Sequence, residues 1–264
     1  MKYKLGIIGI GKMGGSILSG IIKSKIYDYN DIILFDVSEE IKEKFTKEGF
    51  SFCANEQELF DCSEKVIIAI KPQMFNCLET VNYKDNSLVI ISIAAGKTIK
   101  DLQKIFGNQK YIRVMPNTPA LLQCGATAIA RGEGITVEEF NDVKKIFTSI
   151  GIVEEITEDK MNEIIPVNGS MPAYLYYFVK AYIEKAVEYG IDYDIAKRLA
   201  CEAVIGSCKM ITENDKSIDE LIKDVCSPGG TTLAGLKVFE EEKMDEIIKK
   251  SYEACVNRAY ELSK

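Results

Sequence analysis

Up to about residue 150, short apolar runs alternate with stretches in which apolar residues return every three or four positions. The runs are KLGIIG (4–9), DIILFD (31–36), KVIIAI (65–70), SLVIISI (87–93), KYIRVM (110–115) and CGATAIA (124–130). They are rich in β-branched residues and apolar on both faces, which predicts the strands of a parallel sheet covered on both sides. MGGSILSGIIKSK and SEEIKEKFTKEG, which lie between the first strands, have the helical period. The first part of the chain is therefore α/β.

The pattern changes after TVEEFNDVKKIFTSIG (136–151), where Thr136 and Glu139 form a capping-box pair, and after a last short strand, IVEEI (152–156). From about Met161 the spacing is helical: Leu175, Phe178, Tyr182, Ala186 and Tyr189 recur at three- and four-residue steps, and YDIAKRLACEAVIGSCKMI continues in kind. This predicts two domains, residues 1–158 with the sheet and residues 159–264 all helical. The aromatic stripe over 173–190 is core or a subunit interface. A helical half of about 100 residues holds a thin core by itself, which favours dimerisation.

Composition narrows the function. The chain has 264 residues, 47% apolar and 28% charged, as expected of a soluble globular protein. A net charge of −7 without a basic stripe excludes nucleic acid as the main partner and leaves a small molecule. The apolar runs are too short to span a membrane. The opening MKYKLGIIGIGKMGG is broken by Lys12 and has no small-residue cleavage site, so it reads as folded structure and the protein as cytoplasmic. The eight cysteines (53, 62, 77, 124, 201, 208, 226, 255) contain no C-x-x-C, so they read as reduced core thiols, with no metal site. There is no histidine, which removes histidine-dependent dehydrogenase or hydrolase chemistry.

GIGKMG places Gly9, Gly11 and Gly14 directly after a strand and at the start of a helix. The first glycine permits a tight turn, the second lets the backbone approach a pyrophosphate, and the third lets helix and strand pack closely. Asp36 ends the second strand about 20 residues on, where an acid receives the adenosine ribose hydroxyls. Its charge repels a 2′-phosphate and no Arg follows it before Lys42, so the expected cofactor is NAD(P)H, with NADH favoured.

AIKPQ (69–73) and SIAAG (92–96) also lie at strand ends, where ligands bind in such sheets. By position, Lys71 is either a solvated lysine or a ligand contact. RVMPNTPA (113–120) brackets Asn117 and Thr118 with prolines, as a plain turn or as polar groups aimed from a strand end.

Taken in order and at their separations, GIGKMG, IKPQ, RVMPNTPA, NGSMPAY and CSPGGTTLAGL resemble the pyrroline-5-carboxylate reductase family over essentially the whole chain. The resemblance implies a Rossmann domain, a helical dimerisation domain, and reduction of Δ1-pyrroline-5-carboxylate to L-proline with NAD(P)H in a homodimer or an assembly of dimers. It implies that Gly9, Ile10, Gly11, Lys12, Met13, Gly14, Asn55, Ala69, Ile70, Lys71 and Ala95 line the cofactor, with Asn117 beside them. Ser227, Gly230, Thr231 and Thr232 would hold the substrate carboxylate, with Asp215 near the ring.

Physically, Pro228 sets a turn, Gly229 and Gly230 leave N–H groups unobstructed, and the threonines add hydroxyls at a helix start, which together make a carboxylate receptor. Anchored there, a ring is held about 3–3.5 Å from the hydride donor, which is catalysis by position.

The chain departs from the family at IPVNGSMPAY, where Thr-x-x-Ser-Gly-Ser-Gly-Pro-Ala-Tyr is usual. Ile165 stands at the threonine, Asn168 at the first serine and Met171 at a small residue. Asn168 and Ser170 are left as the donors there, so Ser170, Thr232 and Asn168 are the candidate catalytic residues. Two other readings are a related imine or keto-acid reductase using Lys160 or Lys180, and a non-catalytic dinucleotide-binding paralogue.

Overall fold

A computed structural model describes residues 2–79, 81 and 87–262. Contacts divide the chain into two compact units, Met1–Pro172 with Cys255–Lys264, and Ala173–Ala254.

The first unit is built on eight strands: β1 (Leu5–Ile8), β2 (Ile32–Phe35), β3 (Ser51–Phe52), β4 (Lys65–Ile68), β5 (Val89–Ser92), β6 (Lys110–Met115), β7 (Gly125–Arg131) and β8 (Gly151–Glu155). They form one sheet in the order β3-β2-β1-β4-β5-β6-β7-β8. Five helices, α1 (Lys12–Lys23), α2 (Glu39–Lys47), α3 (Glu56–Cys62), α4 (Ile99–Phe106) and α5 (Val137–Thr148), accompany it. Adjacent residues of β1 show why the strands are apolar throughout: Leu5 and Ile7 belong to one buried cluster with α1 and α5, and Ile8 to the other with α3 and α4. Both faces are core.

Two features differ from the expected parallel sheet. The two-residue β3 is an added strand, too short to show a period. β7 pairs antiparallel with β6, registering Val114 with Ile129. The residues between them hold only a 3-10 turn, Thr118–Leu122, whereas a parallel return needs a crossover of a dozen or more residues.

The expected domain limit at 158/159 is not where the contacts divide the chain. Residues 161–170 are a series of turns rather than helix. Pro166 has no N–H to continue a helical ladder, and Met161 is fully buried in a small cluster with Met115, Ala128 and Ala130 of the sheet. This segment belongs to the sheet unit, as does the end of the last helix.

The helices that follow are α6 (Met171–Glu188), α7 (Tyr193–Thr212), α8 (Ile218–Asp224), α9 (Thr231–Glu241) and α10 (Met244–Leu262). Among the described residues of the second unit, Ile183 and Ala196 are the buried apolar ones. Phe178, Tyr182 and Tyr189 are 37%, 53% and 80% exposed, so the aromatic stripe is not core within one chain, and Tyr177 and Leu199 are exposed as well. The cysteines also divide: Cys53 is buried, but Cys77, Cys124, Cys201 and Cys208 are exposed, so they are not core thiols. All eight are free. Among the described residues, no helix is long and apolar enough to cross a membrane.

Candidate active site

β1 has β2 on one side and β4 on the other, so the strand order reverses at β1/β4, and the crevice outside their carboxyl ends is where ligands bind such sheets. Gly9 stands there with φ +87°, and its N–H donates to the Phe35 carbonyl at 2.9 Å. A β-carbon at Gly9 would lie 2.8 Å from the Ile70 side chain and 2.9 Å from the Ala69 carbonyl oxygen, while one at Gly14 would run into the Gly9 carbonyl. At Gly11 a β-carbon would meet nothing within 4 Å. Two glycines are therefore needed for packing, and the third faces open space suited to a pyrophosphate. The buried Ile10 donates its N–H to Asp36 Oδ2 at 2.6 Å, and Ser38 N donates to Oδ1 at 2.9 Å. Asp36 thus ties the glycine loop to the end of β2, and each oxygen retains a lone pair for a ribose hydroxyl.

Of the other expected cofactor contacts, Lys12 is exposed in the first turn of α1 and Met13 packs against the core. Asn55 is exposed and caps α3, its Oδ1 accepting from Glu58 N at 2.9 Å. Ala69 follows β4, its N–H donating to the Ile8 carbonyl at 2.8 Å. The exposed Lys71 starts the 3-10 turn Pro72–Leu78. Ala95 follows β5 and packs against the Met115 cluster.

Asn117 and Asn168, 9% and 7% exposed, form one amide network at the end of β6. Asn117 Nδ2 donates to the Asn168 carbonyl at 3.1 Å, and its Oδ1 accepts from Ala126 N at 2.9 Å. Asn168 Nδ2 donates to the carbonyls of Met115 at 2.6 Å and Ala126 at 3.4 Å. Two carbonyl acceptors settle which end of the amide is nitrogen. The donors of Asn168 are therefore spent on backbone, and the expectation that they serve a ring nitrogen is not met. Asn168 holds the segment before α6 to the β6/β7 pair. Ser170, the next expected donor, lies 3.4 Å from Cys255 Sγ. Cys255 carries no sequence signal, because its partner is 85 residues away.

In the second unit, Ser227–Gly230 is a tight turn closed by Gly230 N donating to the Ser227 carbonyl at 2.9 Å. Gly229, with φ +70°, follows Pro228, the residue pair of a type II turn. A β-carbon at Gly230 would lie 2.5 Å from Ser227 Oγ, which can rotate away, and 3.0 Å from the Ser227 carbonyl oxygen, so the turn is tight there. Thr231 and Thr232 open α9, and both are exposed. Asp215 is exposed in the loop before α8.

Caps separate the helix ends by role. Side chains of Ser38, Asn55, Thr98, Thr136, Asp192 and Ser217 cap α2, α3, α4, α5, α7 and α8. α1 and α9 begin at Gly11 and Gly230 with no capping side chain and no acid in the first turn. A side-chain cap would occupy the N–H groups that an anion needs. Among these eight helices, those two ends remain available.

Comparison with known proteins matches residues 158–262 to the family described as pyrroline-5-carboxylate reductase dimerisation and residues 4–96 to coenzyme F420-dependent NADP oxidoreductase. Pyrroline-5-carboxylate reductase of Escherichia coli is 34% identical over 268 residues, covering all of both chains, and that of Pisum sativum 33% over 266 residues, covering 99% and 97%. The chain belongs to the pyrroline-5-carboxylate reductase family. The family's solved structures superpose along its length: the enzyme from Plasmodium falciparum with NADP bound has a TM-score of 0.90 at 26% identity, covering 99% and 98% of the two chains. That from Coxiella burnetii has 0.89 at 30%, covering all of both.

Of the lysines named for the alternative reductase reading, Lys160 pairs with Asp159 at 3.2 Å, and Asp159 together with Glu163 raises its pKa. Lys180 is exposed and pairs with Glu184 at 3.5 Å.

Proposed function

We propose that this chain reduces Δ1-pyrroline-5-carboxylate to L-proline by hydride transfer from NADH, as a cytoplasmic homodimer. The observation that carries the reading is the pair of uncapped helix starts, α1 behind a glycine cradle and α9 behind the Ser227–Gly230 turn, in a chain that aligns end to end with reductases of this name. A dinucleotide needs the first and a carboxylated substrate the second.

The residues fit a dinucleotide: the open face at Gly11 admits the pyrophosphate, the start of α1 supplies N–H groups, and Asp36 sits where ribose hydroxyls are received. When bound, the nicotinamide supplies the hydride. The substrate carboxylate accepts hydrogen bonds from the backbone at Gly230–Thr232 and from the Thr231 and Thr232 hydroxyls, which orients the ring. The protonated imine is already electrophilic, so its carbon takes the hydride without a strong acid, and a chain without histidine can carry the reaction.

The preference for NADH rests on Asp36. The nearest following cation, Lys42, is engaged with Glu39 at 2.7 Å and leaves a 2′-phosphate without a counter-charge. The homodimer is supported by the exposed apolar side chains of α6 and α7, which need a second surface to cover them. The test is NADH oxidation with pyrroline-5-carboxylate, proline identified as product, repeated with NADPH. Turnover with higher kcat/KM for NADH is expected; a strong NADPH preference overturns the assignment of Asp36, and tight NADH binding without turnover overturns the reaction.

A further inference from the structure

Residues 255–262, the end of α10, lie with the sheet unit and touch two of its strand-end segments. Gly96, next to Ala95 and with φ +75°, could not carry a β-carbon without placing it 3.3 Å from Leu262 Cβ and 3.4 Å from the Ala259 carbonyl oxygen. Tyr260 donates its hydroxyl to Glu163 Oε1 at 2.6 Å. Cys255 precedes the buried Ala259 by four residues, hence on the same helix face, and its Sγ lies 3.4 Å from Ser170 Oγ. The Ser170 backbone is fixed separately, its N–H donating to the Ile165 carbonyl at 2.9 Å. What the thiol governs is the serine side chain.

We propose that Cys255 is a positioning residue for the reduction. Ser170 donates its hydroxyl proton to the sulfur, and the serine oxygen is thereby held with its lone pairs free for the N–H of the protonated imine. This rests on the reading that the proposed reaction takes place beside Ser170. The end of α10, which closes over Ala95 and Gly96, then contributes to the chemistry through one side chain rather than only to packing.

The test is a double-mutant cycle of Cys255→Ala and Ser170→Ala, with Cys255→Ser as the conservative variant, read as kcat and KM for pyrroline-5-carboxylate together with NADH affinity. Loss of one ordinary hydrogen bond corresponds to a kcat lower by about threefold to tenfold in Cys255→Ala, with Cys255→Ser recovering most of it. NADH affinity should be unchanged. In the Ser170→Ala background the second substitution should cost nothing more, since coupled residues are not additive. Equal losses in both backgrounds, no loss in Cys255→Ala, or no recovery by serine each overturn the proposal. Wild-type kinetics in Ser170→Ala overturn it together with the placement of the ring at Ser170. Absence of turnover in the wild type removes the reaction itself, and with it this role.

Discussion

The starts of α1 and α9 use the same device, an uncapped helix end behind a glycine turn, in very different settings. Around α1 a single unit supplies everything: β1 and β4 flank the loop, Asp36 pins it, and a β-carbon at Gly14 has nowhere to go. α9 begins on a helical unit with two buried apolar residues among those described, and Thr231 and Thr232 stand exposed. One chain completes the dinucleotide end. On the reading proposed above, the carboxylate end has its local geometry but not its surroundings, and a second copy would cover the exposed tyrosines and leucine of α6 and α7.

The strongest way to break this contrast is to charge the helical surface. Tyr177→Asp with Leu199→Asp should convert the dimer to monomer in light scattering and abolish turnover, because two carboxylates cannot be buried unpaired. NADH binding to the sheet unit should survive. The reverse comes from Gly14→Val, whose side chain meets the Gly9 carbonyl. An overpacking cost of about 1–3 kcal/mol should appear as NADH binding weakened by about tenfold to a hundredfold in a fluorescence titration, with the dimer intact.

Thr232→Val sharpens the assignment of α9. Losing one hydrogen bond to a charged group, worth about 1.5–3 kcal/mol, should raise KM for the carboxylated substrate by about tenfold or more, with NADH affinity unchanged. An unaltered KM would place the carboxylate elsewhere.

The smallest effect concerns the sheet unit alone. Burial pushes the Glu139 carboxyl up, but the Lys110 ammonium at 2.7 Å and the Thr136 N–H and hydroxyl outweigh it and hold the group below its ordinary 4.5. A lowered pKa stabilises the fold above the unfolded value, and that contribution is lost as pH falls through the folded one. Glu139→Gln should therefore cost roughly 0.5–1 kcal/mol at pH 7 in urea unfolding, the scale of a helix cap, with the two proteins converging as pH falls through the lowered pKa of Glu139.

The backbone shapes around the candidate site could be read from the chain because their determinants are local. The glycines, the strand ends at Ala69 and Ala95, and the Pro228–Gly229 turn each impose a backbone shape through their own stereochemistry. Asn168 misled for the opposite reason. Its residue type advertises donors, but whether they point at a ligand or at the Met115 and Ala126 carbonyls depends on residues some fifty and forty positions away. The antiparallel β7 lay between these cases: its apolar run is plain, and its direction follows only from the missing crossover helix.

What the chain determined by itself was the α/β-then-helical order, the glycine loop after β1 and the Ser227–Gly230 turn, because periodicity, glycine and proline act within a few residues. Tertiary structure alone decided that Asp36 binds its own loop, that Asn168 spends its donors on backbone, and that Cys255 reaches Ser170 across 85 residues. Those contacts have no local signature, since a hydrogen bond depends on where the partner is in space and not on where it stands in sequence.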